Sequence, residues 1–148
     1  MSLADWQKNG WLKPHETSRE EIADLLSLAV RDLKDSKTKG LSDDWRFNIA
    51  YNGALQASSA ALAASGYAVA KGDSNHFRVI QSLGHTVGLD ARSVALFDGF
   101  RKKRSMSIYD SAGVIAAAEV TQICKFASEL VGQVTHWLEI EHPELMDK

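Results

Sequence analysis

Cysteine and proline are scarce in this chain of 148 residues, which holds one cysteine, Cys124, and two prolines, Pro14 and Pro143. A single cysteine excludes an intramolecular disulfide and a multi-cysteine zinc site. It favours a reducing compartment, so a cytoplasmic location is the expectation. Charge of one sign is also lacking. A formal net charge of −2 argues against a protein that coats nucleic acid generally, because such affinity leans on excess Lys and Arg to displace counterions. A local basic patch stays open. No apolar run approaches the roughly 20 residues that span a bilayer, and the amino end lacks a signal-peptide core, so no membrane association is expected. Alternating strand patterns, internal repeats, a Gly-rich phosphate loop, a nucleophile elbow and a helix-turn-helix signature are missing as well.

What remains is ordinary globular composition, 45% hydrophobic and 24% charged, in a length suited to one domain with one core. The pattern is helical, and the fold expected is all-α, an antiparallel up-and-down bundle of four to five helices. Residues 1–17 read as an irregular arm, interrupted by Gly10 and Pro14, with Trp11 and Leu12 tying it onto a bundle domain over residues 18–142. The first helix begins near Thr17 or Ser18, where Thr17 with Glu20 and Ser18 with Glu21 fit a capping box, and Gly40 ends it. The second opens at Ser42, ahead of Asp43 and Asp44, and stops at Gly66. Trp45, Ile49, Gly53, Ala57, Ala60 and Ala64 mark its buried stripe, small enough for a neighbouring helix to approach closely. A short third helix carries Phe77, Ile80 and Leu83. Asp90 caps a fourth bearing Val94, Phe97 and Phe100. The last starts after Gly113 and runs to just before Pro143, with Val120, Ile123, Ala127, Leu130, Val134 and Trp137 as its seam.

The fourth helix ends in Arg101-Lys102-Lys103-Arg104-Ser105-Met106-Ser107-Ile108-Tyr109-Asp110, where the chain's positive charge is most concentrated. Arg104 lies seven residues after Phe97 and four after Phe100, so it projects from the apolar stripe while Lys102 and Lys103 point away. An arginine keeps its charge when desolvated, so it needs a carboxylate, a phosphate or a solvent-filled groove beside it. Arg101, within one turn, can converge with it on an anionic ligand.

This segment, after Phe97-Asp98 and before the long last helix, resembles the signature segment of the HEPN family. Further similarity lies in Ser18-Arg19-Glu20-Glu21-Ile22, Arg46-Phe47-Asn48-Ile49-Ala50-Tyr51 and His76-Phe77-Arg78, in that order, so the resemblance covers roughly residues 11–140. It implies a homodimer with the two signature segments at the interface. Many members cut RNA without metal, and others bind nucleotides or partner a nucleotidyltransferase. The cutting members place a polar residue after the Arg and a His four to six residues beyond it. Ser105 follows Arg104 here, but Tyr109 stands in the place of the His.

That departure has a chemical consequence. Metal-free RNA cleavage needs a base for the 2′-hydroxyl proton, a cation for the charged phosphorane and an acid for the leaving oxygen. Arg104 supplies a cation, but a tyrosine of ordinary pKa, about 10, is ionised to only about one part in a thousand at neutral pH. Five residues also turn an ideal helix by about 500°, leaving Arg104 and Tyr109 roughly 140° apart. Either the helix bends before Tyr109 or two subunits complete the site. The expectation is therefore RNA or nucleotide binding through Arg101, Arg104, Ser105 and Tyr109, with weakened or absent nuclease activity. A toxin–antitoxin or nucleotidyltransferase-linked setting is implied by the resemblance, and no cofactor or metal is.

Two alternatives stay open. One is an active metal-independent ribonuclease with Arg104 and Tyr109 as catalytic residues. The other is a helical protein–protein interaction module in which Arg104 pairs with a carboxylate. Among the histidines, His76 and His85 could substitute as a base, although each reads more readily as a capping or surface residue. His136 and His142 read as solvated, and Glu139 with His142 is too little for a metal site.

Overall fold

The computed structural model describes residues 1–71, 75–107 and 113–146. Six helices and one small antiparallel ribbon follow in the order α1 (Leu3–Lys8), β1 (Leu12–Pro14), α2 (Arg19–Asp35), α3 (Asp43–Ala64), β2 (Tyr67–Val69), α4 (Asn75–Ser82), α5 (Ala91–Ser105) and α6 (Ala117–Glu141), with a 3₁₀ turn at Pro143–Leu145. The expected all-α bundle is the architecture found. Helices α2, α3 and α6 pack on one another, and α4 and α5 close the assembly against α3.

Local chemistry sets these boundaries. Ser18, Ser42 and Asp90 each accept the backbone N–H three residues on, at 3.1, 3.2 and 2.7 Å, satisfying donors that the first helical turn leaves orphaned. Helix α2 stops earlier than its Gly40 signal, at Ser36, whose buried hydroxyl donates to the Leu33 carbonyl. Arg46 Nε then donates to the Ser36 carbonyl at 2.8 Å and pins the start of α3 to the end of α2. Further along, a Cβ added to Gly53 would stand 3.2 Å from the Ala29 carbonyl oxygen, so the small-residue stripe does let α2 come close.

Three expectations need correction. Residues 1–17 are structured: α1 carries a capping box between Ser2 and Asp5, and β1 pairs with β2, Leu12 opposite Val69 and Pro14 opposite Tyr67. Trp6, Leu12, Leu62 and Val79 form a second, smaller core under this ribbon. Trp45 is not in the buried stripe but 64% exposed, while Phe47, Asn48, Ala50 and Tyr51 face inward. In α6 the seam holds from Val120 to Val134, but Leu138 is the buried residue at its end and Trp137 is only half-buried.

Candidate anion-binding site

Helix α5 is anchored by its aromatics. Phe97 and Phe100 are buried and meet α3 edge-on, Phe97 against Tyr51 with ring centroids 5.7 Å apart and Phe100 against Phe47 at 5.8 Å. From α6, Phe126 backs both phenylalanines. With this aromatic layer fixing the helix, the next inward position is Arg104, whose guanidinium carbon lies 5.2 Å from the centroid of the Tyr51 ring. That is cation–π range. Tyr51 itself is fully buried, and its hydroxyl lies 3.1 Å from Nδ1 of His76, on the first turn of α4.

The basic residues divide as follows. Arg101 Nε donates to Asp98 Oδ1 at 2.7 Å while its guanidinium carbon sits 5.6 Å from the Phe77 ring centroid. Lys102 is exposed and lies 3.6 Å from Asp98 Oδ2. Lys103 does not simply point into solvent: it crosses to α6 and pairs with Glu119 at 3.3 Å. Arg104 is different. No carboxylate among the described residues lies within ion-pairing distance of it, and its Nε is buried with no hydrogen-bond partner among them. A buried donor on a permanently charged group is costly to leave unmade, so Arg104 is the candidate here for holding an acceptor.

Two protonation states follow from the surroundings. Burial, opposed only partly by the charges of Arg104 and Arg101, pushes the Tyr51 phenol up to about 12. Burial first, and then the same two arginines, hold His76 below its ordinary imidazole value. At neutral pH Tyr51 is therefore a phenol and His76 is uncharged. If Tyr51 donates to Nδ1, Nε2 carries the proton and is a donor; in the other tautomer Nε2 is a base.

Of the residues expected at the site, Arg101 and Arg104 are brought together around Tyr51 and His76, while Ser105 is exposed at the end of α5. Tyr109 lies outside the described residues. The backbone does depart from α-helical winding just after Ser105, with Met106 and Ser107 in π-type winding. Sequence reasoning missed Tyr51 as a site residue and set His76 aside. Both stood inside segments that carried the family resemblance, and a tyrosine in an apolar stripe needs a partner for its hydroxyl when buried. His85 is exposed and edge-on to Trp6, apart from this cluster.

No grouping of His, Cys, Asp and Glu suited to a metal ion occurs among the described residues, and no described helix is long and apolar enough to cross a membrane. No protein-family model matches this chain, and neither does any curated protein.

Proposed function

We propose that this protein binds RNA or a nucleotide by its phosphate, at Arg104 with Arg101 beside it, on the platform made by Tyr51 and His76. The observation that carries the reading is the buried Arg104 Nε without an acceptor among the described residues, beside a His76 that burial first, and then Arg104 and Arg101, hold below its ordinary value. Charge-assisted hydrogen bonds to a phosphate contribute about 1.5–3 kcal/mol. The HEPN resemblance supports the same ligand class, a homodimer, and a nucleotidyltransferase or antitoxin as partner. The test is an RNA and nucleotide titration of the wild type, Arg104→Ala, Arg104→Lys and Lys102→Ala at fixed salt. Arg104→Ala weakens binding by roughly ten- to a hundredfold, and Lys restores part of the loss because an ammonium lacks the two-pronged donor geometry. Equal losses for Arg104→Ala and Lys102→Ala would mean diffuse attraction instead. Light scattering checks the dimer.

A second reading, metal-independent RNA cleavage, is favoured by one observation: His76, uncharged at neutral pH, touches the same tyrosine as Arg104. It supplies the titratable group that Tyr109 is poorly suited to be. Cleavage in the presence of chelator that disappears in both His76→Asn and Arg104→Ala establishes this reading. No cleavage by the wild type leaves binding as the function.

A further inference from the structure

Beside the start of α3 lies a cavity of about 360 Å³ lined by Ser42, Asp44, Trp45, Asn48 and Ser107. Its size falls within the range of small-ligand sites, roughly 300–1,000 Å³. Three oxygens from this lining are buried without a hydrogen-bond partner among the described residues: Asp44 Oδ1, Asn48 Oδ1 and Ser107 Oγ. Asn48 is only 7% exposed. Its amide nitrogen is committed to the Asp44 carbonyl at 2.6 Å, which fixes Oδ1 as the free acceptor. Asp44 Oδ2 accepts from the Gly113 N–H at 2.8 Å, so the carboxylate is held in place with Oδ1 left over. Beside these three stands Trp45, a tryptophan left 64% exposed.

A buried acceptor without a donor is as unusual as it is costly, and three in one cavity define the ligand that complements them. Asp44 and Asn48 can only accept at this surface, whereas the Ser107 hydroxyl can do either. The matching ligand therefore presents two neighbouring N–H donors and one group that tolerates a hydroxyl, on a flat ring that can stack on an indole. Among nucleobases the Watson–Crick edge of guanine has that order: amino, imino N–H, carbonyl. Adenine, cytosine and uracil each offer a single donor group on that edge and would leave one of the two acceptor oxygens unmatched.

The lining of the cavity also neighbours the residues of the phosphate site, along α3 and just past the end of α5. Asn48 precedes Tyr51 by three residues on α3, and Ser107 follows Arg104 by three. Resting on the phosphate-binding reading above, we infer that this cavity is a base subsite selecting guanine, stacked on Trp45 and read by Asp44 and Asn48. Single-stranded RNA is commonly recognised in this way, through bases stacked on aromatic side chains and hydrogen-bonded at their edges.

The test is calorimetry with guanosine monophosphate, adenosine monophosphate, guanosine and inorganic phosphate, on the wild type, Trp45→Ala, Trp45→Phe, Asp44→Asn and Arg104→Ala, with thermal unfolding as the control for folding. Expected are about tenfold tighter binding of the guanine than of the adenine nucleotide, and a roughly tenfold loss in Trp45→Ala that Trp45→Phe largely restores. In Asp44→Asn the guanine preference collapses, and inorganic phosphate binds both tryptophan variants as it binds the wild type. Equal binding of the two nucleotides, both dependent on Arg104, overturns the base subsite and leaves the phosphate site standing. Binding of guanosine that needs Trp45 and Asp44 while phosphate ignores Arg104 supports the subsite and sinks the phosphate reading. Binding of magnesium alone, lost in Asp44→Asn, would show a cation in the cavity and overturn the inference.

Discussion

Of the arginines that lie over aromatic rings in this protein, Arg78 and Arg104 do opposite things. Arg78 on α4 has its guanidinium carbon 3.8 Å from the Trp11 ring centroid, with Trp6 and Phe77 at 6.0 and 5.5 Å. It contributes no buried polar atom that lacks a partner. Its role is to staple the amino-terminal ribbon to the bundle. Arg104 lies over one ring, Tyr51, at the longer distance of 5.2 Å, and leaves its Nε buried and unmatched. The stacking geometry is common to both, so stacking alone does not mark a site; the unmet hydrogen bond does.

The largest effect that separates them is on ligand affinity. Arg104→Ala weakens RNA or nucleotide binding by roughly ten- to a hundredfold, whereas Arg78→Ala changes it by no more than about twofold, the loss of one diffuse charge. Equal losses in a filter or calorimetric titration would erase the distinction. Stability runs the other way. Arg78→Ala costs about 1 kcal/mol in cation–π and packing contacts, a fall of roughly 3 °C in Tm, while Arg104→Ala, which removes an unsatisfied buried donor, is close to neutral in a thermal melt.

A smaller effect concerns pH. His76 has a folded-state pKa below its ordinary value, so the unfolded chain takes up this proton first. The stability linked to it is present above the ordinary imidazole range, about 6.5, and is lost as pH falls through the folded value. Denaturant midpoints between pH 8 and 5 should therefore fall with acid, less steeply in His76→Gln. A saturating nucleotide should flatten the fall too, because a bound anion offsets the two arginines. An unchanged slope in His76→Gln would remove this histidine from the account.

Much of the fold was legible because helices announce themselves locally. Ser18, Ser42 and Asp90 cap where their sequence context says they should, and the period from Val120 to Val134 needs no tertiary information. Trp45 was misplaced for a physical reason: most residues from Phe47 to Ala63 are buried, so apolar spacing no longer singles out an inward face for the first turn. The ribbon escaped notice because three-residue strands carry no usable period and pair across 55 or so intervening residues. At the site, Arg104 was legible as a charge on an apolar stripe, and Arg101 as its neighbour. Tyr51 and His76 were not legible as a pair, since their contact joins residues 25 apart on two helices and exists only in the packed bundle.

The measurement closest to the central claim is an NMR pH titration of the His76 imidazole, with and without a nucleoside monophosphate. The resonance of His85, placed against Trp6 in the other region, serves as the reference. If phosphate is held at Arg104, the titration midpoint of His76 rises when nucleotide is bound, and in the free protein it rises when Arg104 is replaced by alanine, while His85 does not respond to the nucleotide. A His76 midpoint indifferent to saturating nucleotide would place the anion elsewhere and contradict the account.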